Sequence, residues 1–357
     1  MTDPWRSATG ASVEEARLAV LAALATPRVE EVALDVAVGR MAATGLSAPS
    51  AWPARDTARL DGVAVRAADL DGASVARPRV LVVLGETGPG EAAGRLSEGT
   101  AWRVRTGAPM PDGADAVVPA EDVGDEGESV MVARAVRAGY GVEPEGCDVP
   151  AGTRLLVPGG AISPRMAALL LAFGIASVRV FHRPRVAIIV TGSEYDPGTG
   201  ITPSNGPMLA GLVREAGGTV SSLGTCPDVA STLARTLLGS LPCDLVLTSG
   251  GTGRSAADRV PAAFELARAE PLFRGLAARP GHTTMAARLE GCPVLALPGV
   301  PAAAAVVFEL LVRPALCHLL GTSPLPPREL PLAAAIPAGR PGRRMVWGRL
   351  GGTAASP

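Results

Sequence analysis

From residue 183 to about residue 320, short apolar runs alternate with stretches that carry apolar residues at helical spacing. Apolar or β-branched runs of this kind predict buried strands, and helical spacing predicts amphipathic helices. The predicted strands span residues 185–190, 219–223, 245–248 and 294–297, and the predicted helices span 208–216, 229–238, 256–266 and 298–320. This alternation predicts a doubly wound α/β domain with a mostly parallel sheet.

The first half of the chain has a different pattern. Ser12 is followed three positions later by Glu15, which is a capping-box sequence at the start of a predicted helix. Between residues 54 and 147, short β-prone runs are separated by glycine, proline and aspartate turns, which predicts a small all-β module. A further helix is predicted to begin at Pro164, with Ser163 as its cap, and to end at Gly174.

These patterns divide the chain into four predicted parts and give an α/β multidomain fold class. Residues 1–52 and 148–182 form a discontinuous, elongated helical and mixed domain, and residues 53–147 form the all-β module. Residues 183–324 form the doubly wound α/β domain. Residues 325–357, which are rich in proline and glycine, form a short C-terminal β segment with one predicted strand at 345–350.

The composition is typical of a globular protein, with 47% hydrophobic and 19% charged residues in a chain of 357. The net charge of −1 gives no reason to expect nucleic-acid binding, which usually needs a basic face. The sequence pattern predicts no membrane span, because no apolar run is expected to reach the roughly 18 residues that one needs. The first residues lack the basic start and apolar core of a signal peptide, so we expect a cytoplasmic protein.

The five cysteines, at positions 147, 226, 243, 292 and 317, include no closely spaced pair. Their spacing indicates neither a zinc site nor a disulfide framework, and a buried, inert thiol is expected at each position. The chain contains no lysine, so all 33 basic residues are arginines. Any phosphate-binding site must therefore use arginine, histidine or backbone N–H groups.

The most informative segment is the glycine turn, Ser249 to Gly253, between a predicted strand and a predicted helix. Such a turn directs backbone N–H groups and the positive end of a helix dipole toward one point, which suits an anion. Asp258 adds a carboxylate beside this point, and an anion site with an adjacent acid indicates a bridging metal ion. The alternative interpretation is a tight connection that needs glycines only for its turn.

Two other predicted strands end in polar or glycine-rich loops, at residues 191–194 and 298–301. Ligands of doubly wound sheets bind beyond the carboxyl ends of the strands. We therefore expect these two loops and the glycine turn to converge on one crevice.

Several separated segments carry a more specific signal. Residues 103–118 read RVRTGAPMPDGADAVV and are followed by Glu121. The others are PARDTARLDGVAV at 53–65, GCD at 146–148, TGSE at 191–194, RPGH at 279–282 and LPGVP at 297–301. Together with the glycine turn, and in this order along almost the whole chain, these segments resemble the molybdopterin molybdenumtransferase family, which includes the MoeA-type proteins and the gephyrin E-domain.

The resemblance implies a MogA-like, molybdopterin-binding α/β domain. It implies Mg²⁺-dependent insertion of molybdate into adenylylated molybdopterin, with release of AMP. It also implies a homodimer in which the opposing subunit's β module completes the site, and a MogA-type adenylyltransferase and molybdoenzymes as partners. The C-terminal domain would be cut to roughly half of its usual length in the family.

The resemblance also assigns three groups of site residues. The catalytic residues are Asp61, Thr106, Asp148, Glu194 and Asp258. The residues that bind the substrate are Ser249, Gly250, Gly251, Thr252, Gly253, Arg279, His282, Pro298, Gly299 and Pro301. The metal ligands are Glu194, Asp228 and Asp258. Carboxylate oxygens suit a hard cation such as Mg²⁺, and the planar fork of an arginine can hold an oxyanion through two hydrogen bonds.

Structural roles stay open for several of these residues. Asp61 is also typical of a turn, and the Thr106 hydroxyl could bond its own turn. Asp148 could cap a strand end. Asp228 fits the N-cap of the next helix equally well, and Asp258 could cap the start of its own helix.

Some positions depart from the family's pattern. Where its GED, TGDE and KPGK segments have glutamate, aspartate and lysines, this chain has Cys147, Ser193, Arg279 and His282. The asparagine of its LPGNP segment is Val300. The loss of the glutamate, the aspartate and the lysines favours an alternative function, a cofactor-binding paralogue without turnover. The intact TGAP segment, together with Asp61, Glu194 and Asp258, favours the enzyme. A third alternative, a relative of the MogA-type adenylylating domain alone, is disfavoured by the β module.

Overall fold

The computed structural model describes residues 10–192, 202–253, 259–326, 328–331, 335–336, 343–346 and 348. The chain divides into two compact units. The first unit comprises Met1–Thr44, Val157–Ala168 and Ala176–Pro357, and the second comprises Gly45–Leu156 and Leu169–Ile175. The four-part division expected from the sequence stays a prediction.

The helices and strands are numbered in chain order. The α-helices of the described residues are α1 (Val13–Ala23), α2 (Leu34–Ala37), α3 (Pro164–Ala172), α4 (Asn205–Glu215), α5 (Ala230–Gly239), α6 (Val260–Leu266), α7 (Pro301–Val307) and α8 (Arg313–Leu319). The strands are β1 (Val29–Ala33), β2 (Leu46–Ser47), β3 (Thr57–Ala58), β4 (Gly62–Val65), β5 (Arg79–Thr87), β6 (Thr100–Val104), β7 (Ala116–Pro119), β8 (Val123–Asp125), β9 (Ser129–Val132), β10 (Val142–Glu143), β11 (Arg154–Leu156), β12 (Ser177–Phe181), β13 (Arg185–Thr191), β14 (Thr219–Cys226), β15 (Leu245–Ser249), β16 (Glu270–Arg274), β17 (Ala278–Arg279), β18 (Met285–Leu289), β19 (Cys292–Leu297) and β20 (Arg343–Arg344).

The main sheet of the first unit has the strand order β14-β13-β15-β19-β18-β16. Strand β13 pairs in parallel with β14 and β15, and β15 pairs in parallel with β19. Strands β18 and β16 continue the sheet in antiparallel pairing. The mostly parallel sheet predicted for this part of the chain is therefore present, and the α/β multidomain fold class is confirmed.

Helices cover both faces of this sheet. Val186 and Ile188 of β13 pack into a buried cluster with α1, α4, α7 and α8. Ala187 and Ile189 of the same strand pack into a second cluster with α5 and α6. Because both faces of a central parallel strand are buried, its sequence is a continuous apolar run instead of an alternating one.

Two predicted helix starts are found with their caps. The Ser12 hydroxyl accepts a hydrogen bond from the Glu15 N–H at 3.1 Å, and the Glu15 carboxylate accepts one from the Ser12 N–H at 2.9 Å. The Ser163 hydroxyl accepts a hydrogen bond from the Met166 N–H at 3.1 Å. These contacts satisfy backbone donors that the first turn of a helix leaves without partners.

The second unit contains a sheet of order β7-β4-β6-β5-β9-β8, in which the β5–β6 pair alone is parallel. Val63 and Val65 of β4 pack against Leu81 in one buried cluster. Ala64 packs against Val104 in another. Both faces of β4 are thus buried, and the short β-prone runs of the sequence form the strands expected of them.

Other elements differ from the sequence expectation. Strands β16 and β18 are not predicted by the apolar pattern. The strand predicted at 345–350 is wrong in its described part, because Met345 and Val346 lie outside any strand and β20 ends at Arg344. The short β20 pairs in parallel with β17.

The last long helical stretch also corrects an expectation. The helices α7 and α8 are joined by a π-helical turn, Phe308–Val312. One continuous helical stretch therefore runs from Pro301 to Leu319. This stretch has a mean hydropathy of 1.6 and is long and apolar enough, by length and composition, to be a candidate membrane span. The expectation that no apolar run has this length is therefore wrong. Phe308, Leu311 and Val312 are fully buried in the core of the first unit, where a soluble α/β fold also places apolar helices.

The cysteines provide another correction. The Sγ atoms of Cys243 and Cys292 lie 3.8 Å apart. The cysteine spacing in the sequence predicts no close pair, and this expectation is wrong for the folded chain. The sheet sets the start of β15 beside the start of β19, which brings these two thiols together.

Candidate functional site

Asn205, the first residue of α4, joins two of the loops at the carboxyl edge of the main sheet. Its side-chain amide donates to the Ser249 hydroxyl and to the Gly299 carbonyl, each at 2.7 Å. The Ser249 hydroxyl in turn donates to the Pro298 carbonyl at 3.2 Å. Asn205 and Ser249 are each only 1% exposed, so these hydrogen bonds are protected from water and fix the two loops relative to each other.

Gly250 lies where three strand ends come together. Its φ of +103° is strained for a residue with a side chain. A Cβ atom on Gly250 would lie 2.0 Å from the Thr191 carbonyl oxygen at the end of β13. A Cβ atom on Gly299 would lie 3.5 Å from the Gly250 Cα. The described ends of β13, β15 and β19 therefore meet, and glycine is what permits the approach.

Asp228 reaches the same edge from the loop after β14. One of its carboxylate oxygens, Oδ1, is buried and lies 3.5 Å from the position that a Cβ atom on Gly251 would take. The N-cap position of α5 is held by Val229, and Asp228 precedes it. The structure thus places a carboxylate beside the glycine turn.

The segment that carries Arg279 and His282 is held against the glycine turn by a pair of threonines. The Thr252 hydroxyl donates to the Thr283 hydroxyl at 3.2 Å, and Thr252 is 5% exposed. Arg279 and His282 themselves are exposed. Both side chains are therefore open to solvent, on the segment that Thr283 anchors.

Two buried polar atoms at this edge bear on ligand binding. The Thr191 hydroxyl and the Asn205 carbonyl oxygen Oδ1 are buried, and neither has a hydrogen-bond partner among the described residues. Most buried polar atoms in proteins are paired, so an atom of this kind often marks the place of a ligand, ion or water. Both atoms belong to the group of loops that Gly250 brings together.

Of the predicted residues on these loops, two cannot be placed. Glu194 and Asp258 lie outside the described residues. Their assignment to catalysis and metal binding stays a prediction from the sequence. Pro298 and Pro301 flank Gly299, and Pro301 is the first residue of α7.

In the second unit, Asp61 and Thr106 form one group. Asp61 Oδ1 accepts hydrogen bonds from the Thr106 N–H at 2.7 Å and from the Thr106 hydroxyl at 2.8 Å. The backbone N–H of Thr106, followed by its hydroxyl, holds the pKa of Asp61 below its ordinary value. The hydroxyl does not bond its own turn, which was the structural alternative for Thr106. The pair presents a carboxylate that stays charged at neutral pH.

This pair gives a direct test. Replacing Thr106 by valine removes the hydroxyl donor and retains the backbone N–H, so we expect the pKa of Asp61 to rise part of the way to its ordinary value. The contact is present above the ordinary aspartate pKa and is lost as the pH falls through the lowered one. Carbon-13 NMR titration of the carboxylates measures the change. Thr106→Ser keeps the hydroxyl and is the matched control; an identical Asp61 pKa in both variants would contradict the assignment.

Asp148 lies in a second acidic group of the same unit. The ligand atoms of Glu143, Cys147 and Asp148 all lie within 4.8 Å of one another. The Asp148 N–H donates to the Trp52 carbonyl at 3.2 Å, and Glu143 pairs with Thr57 in the β10–β3 ladder. Asp148 is exposed and is anchored through its backbone, which leaves its carboxylate on the surface.

One motif residue has a structural role. Arg103, within the TGAP-containing segment, makes two hydrogen bonds of 2.8 Å with Asp125 and one of 2.9 Å with the Gly127 carbonyl. Sequence reasoning assigned no role to Asn205, which joins two of the loops. The signal that could have found it is the pair Ser204-Asn205, which resembles the end of a DSN segment of the family.

Comparison with known proteins decides the family. The model described as MoeA N-terminal region (domain I and II) matches residues 11–174, and the model described as "Probable molybdopterin binding domain" matches residues 187–318. Molybdopterin molybdenumtransferase 2 of Mycobacterium tuberculosis is 35% identical over 327 residues, which cover 87% of this chain and 80% of that protein. The chain belongs to the molybdopterin molybdenumtransferase family.

Other relatives agree. Molybdopterin molybdenumtransferase of Bacillus subtilis is 36% identical over 298 residues, or 80% of this chain and 69% of that protein. A solved structure of a molybdopterin biosynthesis MoeA protein from Pyrococcus horikoshii is 34% identical, with a TM-score of 0.74 over 88% of this chain and 81% of that one. The resemblance carried by the motifs is thereby confirmed, as is the expectation of a transferase enzyme.

The predicted site residues of this chain fall in two different regions, each matched by one of the family models. Asp61, Thr106 and Asp148 belong to the MoeA N-terminal region. Asp228 and the glycine turn belong to the region matched by the second model. Asp61, Thr106 and Asp148 lie in the second compact unit, and Asp228 and the glycine turn lie in the first.

Proposed function

We propose that this chain inserts molybdate into adenylylated molybdopterin and releases AMP, as a step of molybdenum cofactor biosynthesis. The observation that carries the proposal is the group of loops fixed by Asn205, in which the ends of β13, β15 and β19 meet around Gly250. Such a group of loops suits the pyrophosphate of an adenylylated substrate. Backbone N–H groups of a glycine turn bind phosphate oxygens without needing a lysine.

The proposed cradle consists of the glycine turn and the backbone at 298–301. Its members are Ser249, Gly250, Gly251, Thr252, Gly253, Pro298, Gly299 and Pro301. In this chain Arg279 takes a position at which the family pattern has lysine, and a guanidinium grips an oxyanion through two parallel hydrogen bonds. His282 adds a further hydrogen-bond donor.

We propose that a magnesium ion binds at the same edge, with Asp228 as the ligand among the described residues. Asp228 offers a partly buried carboxylate beside Gly251, and Mg²⁺ prefers oxygen ligands of this kind. In the proposal Glu194 and Asp258 complete the ligand set. When bound, the ion would neutralise charge on the phosphate oxygens as the AMP group leaves. Asp228 would orient it, and the backbone of the glycine turn would hold the phosphates.

The second unit supplies the other part of the proposal. Asp61, Thr106 and Asp148 are proposed to act near the dithiolene end of the substrate, with Asp61 kept anionic by Thr106. A homodimer, a cytoplasmic location, and a MogA-type adenylyltransferase and molybdoenzymes as partners are proposed on the family resemblance. Sedimentation analysis of the purified chain tests the dimer.

One assay tests the function. Purified protein is incubated with adenylylated molybdopterin and Mg²⁺, with and without molybdate, and AMP is followed by chromatography. The proposal predicts AMP release that depends on molybdate and recurs over many turnovers. Tight substrate binding without molybdate-dependent AMP would contradict it and would favour the second candidate, a cofactor-binding paralogue. That candidate is supported by Cys147 and Ser193 in place of acidic residues and by the loss of both lysines, at Arg279 and His282.

Asp228→Asn is expected to change the metal dependence of this reaction. The variant keeps the shape of the side chain and removes a charged oxygen ligand, so the Mg²⁺ concentration for half-maximal AMP release should rise by about tenfold or more. The melting temperature should change little. An unaltered Mg²⁺ requirement would show that Asp228 has no part in holding the ion.

A further inference from the structure

The thiols of Cys243 and Cys292 lie at the end of the main sheet where its parallel strands begin. The glycine turn lies at the other end, where these strands finish. Cys243 comes two residues before the start of β15, and Cys292 is the first residue of β19. Because these neighbouring strands are parallel, their first residues lie at the same edge, and the two Sγ atoms are 3.8 Å apart. The carboxyl ends of the same two strands carry the glycine turn and the Pro298–Pro301 loop.

The two thiols are not equivalent. Cys292 is 7% exposed and belongs to the buried cluster beneath α5 and α6, whereas Cys243 is partly exposed at its margin. The contact with Cys292 lowers the pKa of Cys243, and the same contact together with burial raises the pKa of Cys292. The nearby charged group is Asp244, which opposes ionisation of both thiols and is itself paired with Arg28. Cys243 is therefore the better nucleophile and the more accessible thiol.

We propose that Cys243 and Cys292 are a site of reversible disulfide formation with low-molecular-weight disulfides. The Cys243 thiolate attacks one sulfur of the small disulfide, which forms a mixed disulfide and releases one small thiol. Cys292 then loses its proton and attacks the Cys243 sulfur, which forms the protein disulfide and releases the second small thiol. Two protein thiols are oxidised, and one small disulfide is reduced to two thiols.

The geometry allows this second step with a small movement. A disulfide bond is about 2.05 Å long, so the sulfur atoms at 3.8 Å must approach by less than about 2 Å. Side-chain rotation of Cys243 at the margin of the cluster provides such a movement without displacing the buried strand β19.

The bond would join positions 49 residues apart in the sequence. The enclosed segment contains the glycine turn, α6 and the β16–β18 edge. A cross-link over a loop of this length restricts the unfolded chain, so the oxidised protein should melt several degrees higher than the reduced one. The site is independent of the proposed reaction, because its thiols lie away from the carboxyl edge of the sheet.

The experiment uses the whole chain and oxidised glutathione as the probe. The oxidised protein is alkylated, digested with trypsin without reductant and analysed by mass spectrometry. Cleavage after Arg254 and Arg288 separates the two cysteines, so the proposal predicts a disulfide-linked peptide pair. Because trypsin does not cut Arg313–Pro314, Cys317 shares the second peptide, and fragmentation of the pair must place the bond on Cys292 and the alkyl group on Cys317. Dithiothreitol should restore both thiols and the lower melting temperature.

Variants make the result specific. Cys243→Ala should abolish the linked peptide and the rise in melting temperature, and it should leave Cys292 reduced. Cys226→Ala removes another buried cysteine of the same cluster and should preserve both. The proposal is overturned if glutathione remains on Cys243 as a mixed disulfide, or if exposed Cys147 reacts while Cys243 and Cys292 stay reduced.

Discussion

Gly250→Ala is expected to be the most damaging single substitution in the glycine turn. The added Cβ would lie 2.0 Å from the Thr191 carbonyl oxygen, and this neighbour is backbone that cannot rotate away. The φ of +103° adds strain for any residue with a side chain. We expect the free energy of unfolding to fall by roughly 3 kcal/mol and AMP release to fall by about a hundredfold or more.

The matched control is Gly211→Ala in α4. At Gly211 an added Cβ meets nothing within 4 Å, and alanine is the better helix former, so stability should rise by about 0.5–1 kcal/mol. Urea denaturation and the AMP assay measure both variants. Equal stability of Gly250→Ala and the unchanged protein would show that β13 and β15 do not approach as described.

Asn205→Ala is the second substitution with a large expected effect. It removes both hydrogen bonds that hold the Ser249 hydroxyl and the Gly299 carbonyl, and it leaves these buried groups with fewer partners. Loss of buried hydrogen bonds of this kind costs about 2–3 kcal/mol. Because the two loops are then no longer fixed relative to each other, AMP release should fall by about a hundredfold.

Ser204→Ala is the control, because Ser204 is exposed and its side chain makes no capping hydrogen bond to α4. It should leave stability and AMP release within the error of the unchanged protein. Asn205→Asp separates packing from hydrogen bonding, since the carboxylate has the same size and cannot donate to the Gly299 carbonyl. Full activity of Asn205→Asp would exclude the role given to this amide.

Much of the α/β unit could be predicted from local pattern. The continuous apolar run of β13 indicated burial on both faces, and Ser12 and Ser163 marked helix starts that the structure has. These features depend on neighbours within one turn or one strand. The burial of β13 and the two helix starts can therefore be predicted from the sequence alone.

Features that depend on distant residues could not be read in the same way. Asn205 and Gly299 are 94 positions apart, and Cys243 and Cys292 are 49 apart. Their contacts exist because parallel pairing of β13, β15 and β19 brings strand ends together. The spacing of cysteines in the sequence therefore gave the wrong expectation.

The antiparallel edge of the sheet was missed for a different reason. β18 reads MAARL and has no β-branched or aromatic residue, and β16 reads EPLFR, in which Pro271 interrupts the strand pattern. Pairing of β18 with β19, and of β16 with β18, sets their conformation instead. Local propensity is a weak guide at such positions.

The central claim is that the strand ends gathered around Gly250 bind the phosphates of an adenylylated pterin. A crystal structure of the protein with adenylylated molybdopterin tests it most directly. We predict pyrophosphate oxygens within hydrogen-bond distance, about 3 Å, of the backbone N–H groups of Gly251, Thr252 and Gly253, because the Gly250 N–H donates to the Leu297 carbonyl. Pyrophosphate bound at any other surface, with the Ser249 to Gly253 turn facing solvent alone, would contradict the claim.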